Sequence, residues 1–441
     1  MSLKVHEKQE QKILRILRLR VTDKPGYLGR LASLLGELGA NIGDIIIASQ
    51  GPDYLIREIN VQVDDMAHLE KVVQAISAIE GVQLVSVIDP VQHAHEGGKI
   101  ATRSKAPLES IAQVRKIYTP GVAEICKLIK NDNLQAKRFT GINNTVAIVT
   151  NGTAILGLGN IGPVAGMPVM EGKAVLFEQL VDVSGVPILL NSSSIEDIVQ
   201  AVKIIAPTFG AIQLEDIAAP ECFEIEERLQ KDLSIPVLHD DQHATAVVVL
   251  AALMTISRRK KISLADCSIG LIGLGAAGLG IARLLFAFGV RRIIGTDLRE
   301  DALSRLKTMG GEPNKLPELM QESDIAIATT GCPGLIKPEM VRVSQVILAL
   351  SNPDPEIDPE VALAQGASFA SDGRTINNAL AFPGLFKGAL KAGATHFTDE
   401  MKIAAAKAIA GQTKEDYLVP SILDKEMHQV VVQAVCDAWR N

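Results

Sequence analysis

Residues 269–278, Ile-Gly-Leu-Ile-Gly-Leu-Gly-Ala-Ala-Gly, lead from an apolar run through spaced glycines into an amphipathic stretch, 279–288. No other segment restricts the fold so tightly. Gly273 permits a sharp turn out of a strand, Gly275 leaves space for a pyrophosphate, and Gly278 lets the following helix close on the strand. A diphosphate would then meet the unpaired amides of the helix N-terminus around Ala276 and Ala277. A G-x-G-x-x-G is weak evidence alone, but here residues 291–297, Arg-Arg-Ile-Ile-Gly-Thr-Asp, form a second strand ending in an acid 19 residues after Gly278. Asp297 can accept hydrogen bonds from both adenine-ribose hydroxyls and would repel a 2'-phosphate, so NAD is expected in preference to NADP. Arg299 lies close enough to leave NADP use open. Two more apolar strands, 325–329 and 346–350, should end on the same edge of a parallel sheet. The second runs into Ser351-Asn352-Pro353, where the Asn352 amide would bind the nicotinamide carboxamide or a substrate, or else form an Asx turn.

Ahead of this Rossmann-like domain, expected at 261–398, lies an Ala-rich α/β section, 107–260. Its short strands (146–149, 185–190, 211–214 and 234–238) alternate with helices such as 195–205 and 222–229, which favours a largely parallel sheet. Two acidic pairs end strands here, Glu215-Asp216 after Ala-Ile-Gln-Leu and Asp240-Asp241 after Ile-Pro-Val-Leu-His. Clustered carboxylates suit Mg²⁺ or Mn²⁺ rather than zinc, because hard divalent ions prefer oxygen ligands. The competing reading is that each pair caps a helix or faces water. His239 and His243 have HxxxH spacing without the Glu of HExxH, and are expected to line a polar site rather than bind metal.

The N-terminal section, 1–92, reads as a βαββαβ unit: strand 13–21, a helical stripe Leu28, Leu31, Leu34, Leu35 and Leu38, strands 42–47 and 54–63, helix 65–79 and strand 82–88. With the turn Asp23-Lys24-Pro25-Gly26 and with Asn41-Ile42 opening the second strand, it resembles ACT domains. That resemblance implies a regulatory, ferredoxin-like module with a small-molecule effector near the first turn. Residues 93–106, with Gly97-Gly98, form a polar linker, and His93 and His95 within it are expected to be solvated rather than metal-bound. Residues 399–441 should supply helices that pack on the catalytic body.

Six separated motifs then carry a second, longer resemblance. They are Tyr118-Thr-Pro-Gly-Val, the run Asn151-Gly-Thr-Ala-Ile-Leu-Gly-Leu-Gly-Asn-Ile-Gly162, and Pro168-Val-Met-Glu-Gly-Lys173. Gln213-Leu-Glu-Asp216, Pro236-Val-Leu-His-Asp-Asp-Gln-His-Ala-Thr-Ala246 and Asn377-Asn-Ala-Leu-Ala-Phe-Pro-Gly384 follow in order. Over about 110–430 the chain resembles the bacterial malic enzymes, particularly the small, NAD-dependent form with an added ACT domain. The resemblance implies metal-dependent oxidative decarboxylation of (S)-malate to pyruvate and CO₂ with reduction of NAD. It assigns Tyr118 and Lys173 as catalytic acid and base, Asp240 as a neighbouring active-site acid, and Glu215, Asp216 and Asp241 as metal ligands. Asn352 and Asn378 become substrate-contacting amides, and a homodimer or higher homo-oligomer is implied. A base of this kind requires the Lys173 pKa to be lowered, which a metal and restricted solvent would favour. One departure bears on the substrate pocket: the family's stretch between Gly-Arg and Asn-Asn is contracted here to Gly373-Arg-Thr-Ile-Asn-Asn378.

Charge and apolar length restrict partners. Acidic residues outnumber Lys plus Arg by 51 to 44, with no single-signed tail, so neither nucleic acid nor an anionic membrane is an expected partner. The longest apolar stretches are too short to span a bilayer. The first ten residues lack a secretory h-region, and five scattered cysteines form no CxxC pair, so a reducing cytoplasmic setting is expected.

Overall fold

Leu17, Leu19 and Val21 alternate with Arg18 and Arg20 along the first strand, and the structure buries the apolar set. The computed structural model describes residues 12–155 and 157–440 and divides the chain into two units, one through Ala101 and one from Thr102 onward. The first contains β1 (Ile13–Thr22), helix Tyr27–Glu37, β2 (Asn41–Gln50), β3 (Tyr54–Val63), helix Met66–Ser77 and β4 (Val82–Ile88). Its antiparallel sheet has the order β2-β3-β1-β4. Leu31 and Leu35 from one helix and Leu69, Val72 and Ile76 from the other cover Leu17, Leu19, Ile59 and Val61. Such period-two strands under period-3.6 helices are what bury one sheet face.

The segment expected as a linker from residue 93 is partly helical. Asp89 accepts the amides of Val91 and Gln92, and Pro90 at the first helical position pre-sets φ, so a short helix, Pro90–His95, forms. His95 bonds back to the Val91 carbonyl and His93 pairs with Glu96. Residues 96–110 carry no helix or strand.

The second unit holds two parallel sheets. One contains β5 (Thr145–Thr150), β6 (Ser184–Leu189), β7 (Ala211–Leu214) and β8 (Val237–His239), in the order β6-β5-β7-β8. Its last strand is shorter than expected because Pro236 has no N–H and offers only its carbonyl, to Ile212. The other contains β9 (Ser268–Ile272), β10 (Arg292–Thr296), β11 (Glu312–Pro313), β12 (Ile325–Ala328), β13 (Val346–Ala349) and β14 (Phe369–Asp372). Their order, β11-β10-β9-β12-β13-β14, is the doubly wound dinucleotide topology, with its switch point between β9 and β12.

Helix Asp240–Lys260 joins the two sheets. It is Ala- and Val-rich and buried nearly all round, packing on helices Ala276–Phe288 and Asp399–Gly411. Its close approach to the former depends on Gly280, where a Cβ would lie 2.3 Å from the Gln242 carbonyl oxygen. The last helix, Lys425–Arg440, packs on Phe382–Ala392, Asp399–Gly411 and Pro163–Val181. The fully buried ring of Phe177 meets those of Phe382 and Phe386 edge-on, at 4.9 and 5.5 Å, an arrangement worth about 0.5–1.5 kcal/mol per pair beyond burial.

Candidate active site

Parallel strands deliver their carboxyl ends to one edge, and there β7 and β8 place the acids. Glu215 follows β7 directly, and Asp216 adopts a left-handed conformation (φ 52°), which turns the chain sharply. Non-glycine residues hold that conformation at a cost, although Asp tolerates it better than most. The Asp216 amide donates to Asp241 Oδ2 at 3.1 Å, which ties the end of β7 to the start of helix Asp240–Lys260. Carboxylate oxygens of Glu215, Asp216 and Asp241 lie within 4.8 Å of one another.

Lys173 reaches this cluster from helix Pro163–Val181. Its Nζ donates to Asp240 Oδ2 at 2.5 Å and stands 3.0 Å from Glu215 Oε1, above the Phe382 ring. The same Asp240 oxygen accepts a bond from Asn378 Nδ2 at 2.7 Å. The contracted segment 373–378 therefore still carries Asn378 into the site. Lys173, Glu215, Asp216, Asp240, Asp241 and Asn378 are thus brought together from positions spanning more than 200 residues.

The electrostatics of this cluster favour a cation. Burial first, and then mutual repulsion, push the carboxyls above their ordinary range: Glu215 to about 7, Asp216 to about 9, Asp240 to about 7 and Asp241 to about 6. Burial pulls the Lys173 ammonium down, but the charges of Asp240, Glu215 and Asp241 outweigh it and raise its pKa. The protein's own side chains therefore do not supply the lowered pKa that a lysine base requires, because the acids hold its proton. Asp216 Oδ2 is buried without a hydrogen-bond partner. Clustered acids, each harder to ionise than normal, and an orphaned carboxylate oxygen fit an oxygen-liganded divalent ion. His239 Nε2 lies 3.7 Å from Asp241, and His243 bonds to Glu226; neither belongs to the carboxylate trio.

The glycine-rich turn follows β9 as its spacing requires. Gly273 has φ 90°, and a Cβ on Gly278 would fall 2.0 Å from the Gly273 carbonyl oxygen. Nothing lies within 4 Å of the corresponding position on Gly275, so the approach to the helix N-terminus, at Ala276 and Ala277, is open. Asp297, at the end of β10, accepts the amides of Leu274 at 2.7 Å and Arg299 at 2.9 Å. Arg299 keeps its Nε 3.8 Å from Asp297 Oδ1 and extends a terminal nitrogen to the Ala219 carbonyl, in the loop after Asp216. Asn352 is exposed beyond β13, with its carbonyl facing the Gly157 turn.

Tyr118 is not brought to the cluster. It is 70% exposed at the end of helix Ile111–Ile117, and that helix and its successor, Val122–Asn131, bury none of their residues. Three supporting residues escaped the reading from sequence. Gln213 donates to Glu215, Thr153 accepts the Ala218 amide, and Glu356 gathers Thr330 and Ser351 at the ends of β12 and β13. Gln213 and Thr153 stood inside recognisable motifs, whereas nothing around Glu356 signalled its burial.

Comparisons with known proteins agree with this geometry. Family models match for the malic enzyme N-terminal domain at residues 98–230 and the malic enzyme NAD binding domain at 371–436. An ACT domain matches at 13–86, and the NAD binding domain of D-isomer specific 2-hydroxyacid dehydrogenases matches at 241–333. The chain is 52% identical over 425 residues to NAD-dependent malic enzyme 1 of Bacillus subtilis (strain 168), covering 96% of this chain and 97% of that protein. It is 42% identical to the NAD-dependent malic enzyme of Geobacillus stearothermophilus, covering 92% and 90%. Among solved structures, malic enzyme from Pyrococcus horikoshii Ot3 superposes with a TM-score of 0.73 at 39% identity, covering 78% of this chain and 87% of that one.

Proposed function

The chain belongs to the malic enzyme family, and from that footing we infer how its own residues carry out the family's reaction. It is an NAD-dependent, decarboxylating oxidoreductase that converts (S)-malate to pyruvate and CO₂ with a divalent metal. The observation that carries this reading is the convergence of Lys173, Asp240 and Asn378 beside the trio Glu215, Asp216 and Asp241.

Glu215, Asp216 and Asp241 would hold Mg²⁺ or Mn²⁺. When bound, the cation supplies Lewis-acid stabilisation of negative charge on the substrate oxygen. Carboxylates committed to that ion no longer hold the Lys173 proton so tightly, which frees Nζ to accept the proton of the C2 hydroxyl. Asp240 receives that ammonium and keeps it oriented, and Asn378 fixes Asp240 from the other side. The open helix N-terminus behind Gly275 takes the NAD diphosphate, Asp297 takes the adenine ribose, and Asn352 orients the carboxamide or the substrate.

Tyr118 supplies the proton to C3 in the last step, and a second copy of the chain seats it. Ile111, Ile117, Tyr118 and Leu128 stand exposed on and between the two poorly buried helices that flank it, which supports a homodimer in which this face is covered. The ACT unit has a cavity of about 320 Å³ at its first turn, lined by Thr22, Asp23, Lys24, Gly26, Tyr27 and Arg57, where a small-molecule effector would bind. Among the described residues no helix is long and apolar enough to cross a membrane.

A matrix of malate with NAD or NADP and with Mn²⁺ or Mg²⁺ tests the reaction, reading reduced cofactor and carbon products together. Stoichiometric NADH and pyruvate are expected. Lactate without net NADH would replace this reaction with a malolactic one.

A further inference from the structure

Helix Asp240–Lys260 starts without a side-chain cap of its own: His239 occupies the capping position and makes no capping bond. Beneath this turn lies a carboxylate from a different element. Glu226, on helix Glu221–Asp232, is buried on the same face as Cys222, Ile225 and Leu229. Its Oε1 accepts the His239 backbone N–H at 2.8 Å. Its Oε2 accepts from Gln242 Nε2 at 3.2 Å and from His243 Nε2 at 3.0 Å. One buried side chain thereby grips a strand-to-helix turn on both sides of Asp240 and Asp241.

A buried carboxylate is costly unless hydrogen-bonded, and these three donors satisfy it only if the turn keeps its present shape. That shape aims Asp240 at Lys173 and Asn378 and lets Asp241 accept the Asp216 amide. Glu226 makes no hydrogen bond to Lys173 or to any of the four acids; its bonds go to residues 239, 242 and 243, which bracket Asp240 and Asp241 on the same turn. A rotation of that turn would spread the carboxylate oxygens of the trio, and a divalent ion tolerates little spreading among its ligands.

We propose that Glu226 is a positioning residue that sets the divalent-cation affinity of the site by fixing the turn bearing Asp240 and Asp241. The proposal rests on the metal assignment made above. It separates position from charge, and two conservative variants read that difference. Glu226→Gln keeps the length and can still accept the His239 N–H, while Gln242 can flip its amide and His243 can change tautomer to meet the new NH₂. Glu226→Asp keeps the charge but falls one methylene short.

The test is Mn²⁺ binding to the full chain without malate or NAD, followed by electron paramagnetic resonance of free Mn²⁺, with NAD binding measured alongside. Glu226→Ala and Glu226→Asp should bind Mn²⁺ about 10- to 100-fold more weakly, the range usual for residues that support metal ligands. Glu226→Gln should stay within about threefold of wild type, and NAD affinity should hold in all three. Should Glu226→Ala fail to fold, the Gln and Asp pair still decides the matter. The inference fails if the Asp variant binds Mn²⁺ like wild type, if the Gln variant loses as much as the Asp variant, or if NAD and Mn²⁺ affinity fall together. Wild-type protein that takes up no Mn²⁺, or an Asp241→Asn variant that takes it up undiminished, would instead overturn the metal assignment and this inference with it.

Discussion

Replacing Lys173 with Met removes a buried ammonium while roughly keeping its volume, and its consequences can be worked from the site. Lys173 Nζ is 2.5 Å from Asp240 and 3.0 Å from Glu215, and it is the cation in contact with the buried acids. At an effective dielectric near 20 the two contacts are worth roughly 5–7 kcal/mol each before desolvation. The net loss on breaking such a buried pair is smaller, about 3–5 kcal/mol. In EDTA at mildly alkaline pH the variant should therefore melt roughly 6–10 °C lower, taking about 2 °C per kcal/mol for a domain of this size. The deficit should grow as pH rises, because the abandoned acids must then ionise against one another. Saturating Mn²⁺ should recover much of it, since a bound cation replaces the missing positive charge. Activity should not recover with it: losing the proton acceptor should lower kcat by about 10²–10⁴-fold. Thermal melts with EDTA and with Mn²⁺, together with NADH formation, read both effects. A metal-free variant as stable as wild type, or one retaining more than about a tenth of kcat, would refute the account of Lys173 as counter-charge and base.

Metal affinity and metal-free stability should respond oppositely to pH. Glu215 and Asp240 titrate at about 7, Asp241 at about 6 and Asp216 at about 9 in the folded chain, against about 4 when unfolded. The folded state therefore binds more protons between about pH 4 and 9, so metal-free stability rises as pH falls through that window and is lost as pH climbs through the folded values. Mn²⁺ affinity should begin to fall as pH drops through about 9, where Asp216 takes up its proton, and more steeply below about 7, where Glu215 and Asp241 follow, because protons must leave before the acids can bind the ion; a pH-independent Kd would contradict the ligand set. Asp297→Ala should raise KM for NAD by about tenfold and leave Mn²⁺ binding unchanged, and an unaltered NAD-to-NADP ratio would remove Asp297 from cofactor choice. Tyr118→Phe should slow pyruvate formation more than oxidation of malate, read as NADH appearing ahead of pyruvate in a single turnover. Mixing Tyr118→Phe with Lys173→Met subunits should restore some activity if Tyr118 acts across the dimer, whereas no complementation would place it in its own subunit's site.

What the sequence revealed was whatever is encoded by local pattern. The glycines at 273, 275 and 278 have steric reasons to be glycine that depend on near neighbours, so their role was readable from spacing alone. The strand-end acids were equally visible, because a charged pair after a short apolar run announces the edge of a parallel sheet. Lengths were less secure where single residues intervene: Pro236 shortened β8, and Asp89 with Pro90 started a helix that runs into the first residues of the expected linker. Distant partnerships could not be read in this way. Glu226 occupies a helical face otherwise filled by Cys222, Ile225 and Leu229, and that misplaced charge was a legible anomaly, but its partner lay in a turn that only folding brings near. The lysine pKa shows the same limit more sharply. Sequence placed Lys173 near a metal site, where a base requires a depressed value, whereas the acids that the folded chain sets around its ammonium raise it. The sign of that shift depends on whether a cation or a proton balances the carboxylates, so the state of the base is set by the occupancy of its neighbours rather than by its own environment alone.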